Sequence, residues 1–125
     1  MTDHHPQFWF TGAHVAPEFS RDGEARLARW LQEQLAGAGY RADAPHAVTW
    51  GQRIRVQSAH TVFVDCAAAR LITDSSSAPP CWIAEVVYDS AISSLEGKAA
   101  TLPTVARVGH DLGTILAANT RAWHP

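Results

Sequence analysis

The chain has 125 residues, a formal net charge of −2, 46% hydrophobic residues and 18% charged residues. These proportions are typical of a globular domain and exclude a disordered chain. Because no dense basic stretch is present, no nucleic-acid partner is expected. No apolar run approaches the ~20 residues needed to cross a bilayer, so no membrane span is expected either.

The N-terminus and the cysteines bear on the cellular compartment. Residues 1–6 do not combine a basic region with an apolar core and therefore do not form a secretory signal. Cys66 and Cys81 lie outside any CxxC pattern and are interpreted as free thiols that pack as small hydrophobes. A bridge between neighbouring strands is the alternative. We therefore expect a cytoplasmic protein, because nothing indicates an oxidising compartment.

A strand and a helix are predicted in the first forty residues. The apolar run in Gln7 to Thr11 predicts a strand, and Gly12 to Pro17 forms a connection. The helix runs from Asp22 to Ala38, with Asp22 as its N-cap and with Gly37 and Gly39 at its end. Its apolar stripe, which predicts the buried side, consists of Leu27, Trp30, Leu31 and Leu35.

A hairpin is predicted in the middle of the chain, within Val48 to Cys66, after a turn from Tyr40 to Pro45. The alternation favours a three-residue loop, Ser58 to His60, because this register makes one face of the hairpin entirely apolar. Val56 then lies opposite Val62 and Ile54 opposite Val64, whereas Arg53 faces Asp65 and Arg55 lies beside Phe63 on the other side.

The last third of the chain predicts one more strand and a long helix. Asp74 to Pro80 is an exposed loop, and Cys81 to Asp89 is a strand with Trp82, Ala84, Val86 and Tyr88 on one face. Ser90 to Glu96 is expected to form a short helical turn that stops at Gly97. The final helix is predicted from about Leu102 to Arg121, with Thr101 as its cap. Gly109 and Gly113, four residues apart in this helix, favour close packing against the sheet.

This order of elements, β-α-β-β-β-α, predicts an α+β fold. We expect an antiparallel sheet of about four to five strands with the two main helices packed on one face. Residues 1–125 form one domain in this interpretation, with frayed tails at 1–6 and 122–125. The other face of the sheet then carries Arg53, Arg55, Phe63 and Asp65.

Sites for metal, cofactor or covalent chemistry are not predicted. The histidines and cysteines do not have metal-ligand spacing, and neither a GxSxG sequence nor a glycine-rich phosphate loop occurs. No metal site, cofactor or catalytic residue is therefore assigned. The alternative is a small hydrolase or transferase whose site lies between the sheet and the helices, assembled from Glu85, Asp89 and a loop histidine such as His46.

Trp50 and Gly51 are the most suggestive local pair. They precede Arg53 and Arg55 at the start of a strand, and tryptophan and arginine are enriched at the energetic centres of protein interfaces. The competing interpretation is that Trp50 closes one end of the core and that Gly51 forms a bulge. Both interpretations stay open at the level of sequence.

The overall pattern resembles a loose group of small bacterial α+β proteins, some of them akin to immunity proteins of toxin systems. The resemblance rests on an aromatic first strand, an early helix that ends near glycine, a Trp-Gly strand opening, a Trp-led later strand and an apolar terminal helix: Phe8 to Phe10, Leu35 to Tyr40, Trp50-Gly51, Trp82 to Glu85, and Leu112 to Leu116. It implies the fold more than the role and transfers no catalytic residue.

These observations together favour a non-enzymatic domain that binds a protein partner, and the resemblance implies that it is of the immunity or antitoxin type. The expected partner-binding residues are Trp50, Arg53, Arg55 and Phe63. A homo-oligomeric structural subunit, assembled through an exposed strand edge, is a further alternative to the enzyme described above.

Overall fold

The computed structural model of the chain describes residues 6–11, 21–69, 81–88 and 94–123. The predictions for residues 12–17, 74–80 and 90–93 and for Asp89 lie outside this part. The elements, in chain order, are β1 (Gln7–Thr11), α1 (Arg21–Gly37), β2 (Arg41–Ala42), β3 (His46–Val48), β4 (Gly51–Gln57), β5 (Thr61–Ala69), β6 (Cys81–Tyr88), α2 (Leu95–Asn119) and β7 (Arg121–Trp123). The predicted α+β fold with an antiparallel sheet is confirmed.

The strands lie in the order β2-β4-β5-β6-β1-β7, and β3 also pairs with β4. Because β5 occupies one side of β4, β2 and β3 share the other side and act together as one interrupted edge strand. Between them, the amide of Asp43 donates to the carbonyl oxygen of Arg55 at 2.9 Å. The sheet therefore contains more strands than the four to five that were expected, because short strands are added at its edges. The region from Tyr40 to Pro45 is thus not only a turn.

Helix α1 confirms the predicted helix and its buried stripe, since Leu27, Leu31 and Leu35 are fully buried. It begins at Arg21, so Asp22 lies inside the first turn and is not the N-cap. The helix ends in a Schellman motif, in which Gly39 has a φ of +99°. The amide of Tyr40 donates to the carbonyl of Leu35 at 3.1 Å, which satisfies a terminal acceptor of the helix.

The β4–β5 hairpin has the predicted register. Ile54 pairs with Val64 and Val56 with Val62, and all four side chains are fully buried. A slip of one residue would turn arginines into the core in their place. Burial of one apolar face therefore determines how these strands pair.

Helix α2 differs from the sequence prediction because it is one continuous element of 25 residues. The expected stop at Gly97 and cap at Thr101 are wrong. Ser94 is the N-cap, with its side-chain oxygen accepting from the amide of Gly97 at 2.9 Å, and the Thr101 hydroxyl donates to the Gly97 carbonyl at 2.9 Å. The helix also contains Pro103 in its interior.

The C-terminal end of α2 also departs from the prediction. The helix ends at Asn119 instead of Arg121, and Arg121–Trp123 forms β7. Strand β7 pairs with β1, with Trp123 opposite Trp9 in the register. Residues 122 and 123 are therefore part of the sheet and not of a frayed tail, and Pro6 is likewise tied down because its carbonyl accepts from the amide of Val86 at 3.0 Å.

The core lies between the two helices and one face of the sheet. The largest fully buried side chains are Trp82, Phe10, Leu27, Leu31, Leu35, Ile54, Leu112 and Leu116. Helix α2 approaches β1 closely, as predicted from its glycines. A Cβ atom at Gly113 would lie 2.9 Å from the Phe8 ring, and one at Gly109 would lie 2.6 Å from the Pro6 ring. Neither α1 nor α2 is long and apolar enough to span a membrane.

Candidate protein-binding face

The sheet has a second face, opposite the helices, which we call the open face. It is built from the alternate strand residues that point away from the core, and apart from the buried Gly51 these residues are partly or fully exposed. The open face comprises His46 and Val48 of β3, Gly51, Arg53 and Arg55 of β4, Phe63, Asp65 and Ala67 of β5, Ile83, Glu85 and Val87 of β6, and Gln7 and Trp9 of β1.

A polar row crosses the open face at right angles to the strands. His46 pairs with Arg53, Arg53 with Asp65, Asp65 with Glu85, and Glu85 with Gln7. Directly opposed residues of this kind have Cβ atoms about 5 Å apart. Five strands thus contribute one line of polar side chains, with a cation on β4 and carboxylates on β5 and β6.

Apolar residues flank the polar row on both sides. Phe63 and Val87 pair with each other on one side, next to Arg55. On the other side lies what we call the graded row, Val48, Gly51, Ala67, Ile83 and Trp9, in which side-chain size increases from β4 to β1. The open face therefore combines charge with apolar surface, as protein interfaces do.

Arg53 is held by contacts on every side. Its Nε and one terminal nitrogen donate to the two carboxylate oxygens of Asp65 at 2.8 and 2.9 Å, and the indole Nε1 of Trp50 donates to the same carboxylate at 3.2 Å. The guanidinium carbon also lies 4.6 Å from the ring centroid of Phe63 and 5.1 Å from that of Trp50. A bidentate pair with two cation–π contacts fixes this side chain before any partner arrives.

Trp50 lies in the two-residue turn between β3 and β4 and is 54% exposed. The interpretation in which it closes one end of the core is therefore wrong. Gly51 does not form a bulge, because it begins β4 and pairs in regular register with Val48 of β3. A Cβ atom at this position would lie 2.3 Å from the carbonyl oxygen of Cys66. An open groove of about 380 Å³ lies beside this turn, with Glu24 of α1 on its other side.

The four residues expected to bind a partner lie together. Trp50, Arg53 and Phe63 are in mutual contact through the guanidinium, and Arg55 lies directly opposite Phe63 on β4. The Arg55 side chain is exposed and forms no ion pair within the described part of the chain. Their role in binding stays a prediction, but their proximity is a property of the fold.

The two described residues of the alternative enzyme site, Glu85 and His46, do not come together. Glu85 lies on the open face, where the Gln7 side-chain amide donates to it at 3.2 Å, so it does not contribute to a site between sheet and helices. His46 is three strand spacings away, about 14 Å. Asp89 lies outside the described residues, among which no group of three His, Cys, Asp or Glu side chains is placed to bind a metal.

Cys66 is a free, buried thiol, as one interpretation of the sequence predicted, and not half of a bridge. Burial raises the pKa of this thiol, and the nearby carboxylates of Glu24 and Asp65 act in the same direction. Since the thiolate is the reactive form, Cys66 is inert in the folded protein. The side chain of Cys81 lies outside the described part.

Sequence reasoning missed the contribution of β1 and β3 to the open face. Gln7, Trp9 and His46 belong to it, yet their strands are too short or too uniformly apolar to show which side faces solvent. Only the cross-strand register shows that these three residues lie on the open face. No protein-family model, curated protein or solved structure matches this chain.

Proposed function

We propose that this chain is a non-enzymatic protein-binding domain and that the open face is its binding surface. The observation that carries the proposal is the cluster of Trp50, Arg53 and Phe63, in which the guanidinium is fixed against Asp65 and between two aromatic rings. Tryptophan and arginine are the residue types most enriched at interface hot spots. A side chain that is ordered in advance loses less conformational entropy on binding.

The surroundings of the cluster support the same function. Phe63 and Val87 on one side of the polar row, and Ala67, Ile83 and Trp9 on the other, supply apolar surface that is only partly buried. Arg55 adds an exposed charge at the margin. Apolar surface combined with aromatic and arginine side chains is common in specific interfaces. The resemblance to immunity proteins implies a second, different protein as partner, whereas a copy of the same chain is the other candidate.

The test uses a tagged chain co-expressed with an untagged copy in cells of its source, followed by affinity capture and mass spectrometry. We expect Trp50→Ala and Arg55→Glu to remain folded but to lose the proteins that the wild type retains. Arg29→Glu is the matched control, because Arg29 is exposed on α1, away from the open face. If both open-face variants retain the same proteins as the wild type and unfold at the same temperature, the open face is not the binding surface.

A further inference from the structure

We propose that the partner bound by the open face is a second copy of this chain, related to the first by a two-fold axis that runs parallel to β5. This inference rests on the proposed function and specifies its partner. Two independent gradients across the open face support it, one of charge and one of side-chain size. Both run from one side of β5 to the other, and β5 is the middle strand of the β4–β5–β6 surface.

The charge gradient runs from β4 to β6. Arg53 and Arg55 on β4 carry positive charge, and Glu85 on β6 carries negative charge. In the proposed dimer the open faces of two copies are opposed, and the axis runs along β5 midway between the two sheets. Rotation by 180° about this axis keeps the position of each residue along the strands and moves the residue to the opposite side of β5. Arg53 of each copy then faces Glu85 of the other copy, whereas Arg55 faces Val87, which shares its row on β6. Electrostatic complementarity of this kind selects both the partner and the orientation.

The size gradient lies in the graded row. Gly51 has no side chain, Ala67 has a methyl group, and Ile83 and Trp9 are large. The same rotation places Ile83 of one copy over Gly51 of the other, Trp9 over Val48, and Ala67 over Ala67. Packed sheets interdigitate across about 10 Å, so large residues set against small ones fill this space evenly.

Residues of β5 itself lie at the axis and face their own copies. Phe63 faces Phe63, which is a favourable aromatic pair in an offset or edge-to-face arrangement. Asp65 faces Asp65, and its charge is compensated in each copy by the bidentate pair with Arg53 at 2.8 and 2.9 Å. The contacts at the axis are therefore compatible with symmetry.

A two-fold axis perpendicular to the strands does not have these properties. Rotation about such an axis would set each strand against the same strand of the other copy, so that Arg53 faces Arg53 and Glu85 faces Glu85. Like charges opposed across an interface disfavour association. The direction of the axis is thus determined by the order of charges on β4, β5 and β6.

The expected strength of the dimer follows from the area of its interface. From β3 to β1 the open face spans about 19 Å across five strands and about 20 Å along them. An interface of this area belongs to the small class, in which association is weak and reversible. We therefore expect a monomer–dimer equilibrium that depends on protein concentration.

The experiment is sedimentation equilibrium of the purified full chain over a range of concentrations. The wild type is expected to dimerise, and Arg53→Glu and Glu85→Arg are each expected to weaken self-association at least tenfold by opposing like charges. An equimolar mixture of these two variants restores the opposite charges in both symmetry-related contacts and is expected to form a heterodimer. Arg29→Glu is the control and should dimerise like the wild type. Glu85→Lys carries the same charge change and replaces Glu85→Arg if that variant unfolds.

Three outcomes would overturn the second-copy proposal: a wild type that stays monomeric at the highest concentration, a dimer that the folded Arg53→Glu variant leaves unchanged, or a mixture of variants that does not associate. The capture experiment distinguishes failure of the second-copy proposal from failure of the proposed function. A monomeric chain that captures a different protein in a manner dependent on Trp50 and Arg55 leaves the binding function standing and removes the second copy. A monomeric chain without such capture contradicts both.

Discussion

Gly51 shows how a single residue decides the approach of two strands at the edge of the binding face. It begins β4, and the space where its Cβ atom would lie is occupied by the carbonyl oxygen of Cys66 and by Ala67 of β5. Gly37, at the end of α1, is different because an added Cβ atom there would meet nothing within 4 Å. The two glycines form a matched pair, one required by packing and one not.

We expect Gly51→Ala to lower the free energy of unfolding by about 1–3 kcal/mol, since the backbone of β5 must move to accept the methyl group. Gly37→Ala should raise it by about 0.5–1 kcal/mol through helix propensity and a less flexible unfolded chain. Urea denaturation of both variants measures the difference. Equal stability of the two variants would show that the backbone of β5 accommodates the methyl group without loss of stability.

Tyr40 is a second residue whose surroundings determine its chemistry. Its hydroxyl donates to Oδ2 of Asp111, and the guanidinium carbon of Arg107 lies 5.5 Å from its ring centroid. Burial raises the pKa of Tyr40 to about 12, and the hydrogen bond and charge of Asp111 contribute in the same direction. The side chain thus joins the segment after α1 to the middle of α2.

Tyr40→Phe is expected to lower the free energy of unfolding by about 0.5–1.5 kcal/mol near neutral pH, the usual net value of one buried hydrogen bond. In the wild type, the pKa of Tyr40 is about 10 unfolded and about 12 folded. The protonated phenol therefore stabilises the fold fully below pH 10, and this contribution is lost as the pH rises through 12. Denaturation curves between pH 8 and about 12.5 should show this loss in the wild type and not in Tyr40→Phe. An identical alkaline decline in both would exclude Tyr40 as its source.

Helix α2 illustrates how an element can override its local signals. Gly97 and Pro103 both indicate a break, yet the helix continues from Leu95 to Asn119. Val105, Val108, Leu112 and Leu116 are buried against the sheet, and this burial outweighs the cost of the proline. Pro103 itself is exposed, and it removes the amide that would donate to the carbonyl of residue 99.

Pro103→Ala should therefore stabilise the protein by about 1–3 kcal/mol, because it restores a helical hydrogen bond and relieves the contact between the ring and the preceding turn. Ser94→Ala is the opposite control at the same element and should destabilise by about 1 kcal/mol, since the amide of Gly97 loses its acceptor. Thermal unfolding followed by circular dichroism measures both. A fall in melting temperature for Pro103→Ala would contradict this account of α2.

At the scale of the whole molecule, the helices cover one face of the sheet and leave the other open. Cys66 reports on the covered face because it is buried in the core between β5 and the helices. Reagents reach it only when the sheet and the helices separate. Its reactivity therefore measures opening of the entire molecule and not motion of an edge.

In a Cys81→Ser background, Cys66 is expected to react with a thiol reagent no faster than the protein unfolds. The rate should rise with urea in parallel with the unfolding rate measured by tryptophan fluorescence. Denatured protein supplies the control for full reactivity. Rapid modification of native protein would show that the core opens locally near β5.

Much of this fold could be predicted from the sequence where the deciding forces are local or act between neighbouring elements. The apolar stripe of α1 and the left-handed Gly39 determine that helix and its end. The alternation around Ile54 and Val64 determines the hairpin register, because any slip would bury arginine. That register already placed Arg53, Arg55 and Phe63 on one surface beside Asp65.

Only the tertiary structure decided the remainder. Short strands such as β2, β3 and β7 carry too few residues for a pattern and exist because a neighbouring strand offers unpaired backbone groups. The exposure of Trp50 depends on where the β3–β4 turn lies relative to the core. The polar row from His46 to Gln7 and the graded row beside it arise from pairing among five strands. Such pairing is a long-range property, set when the whole sheet packs against its helices, and no local stretch of the chain contains it.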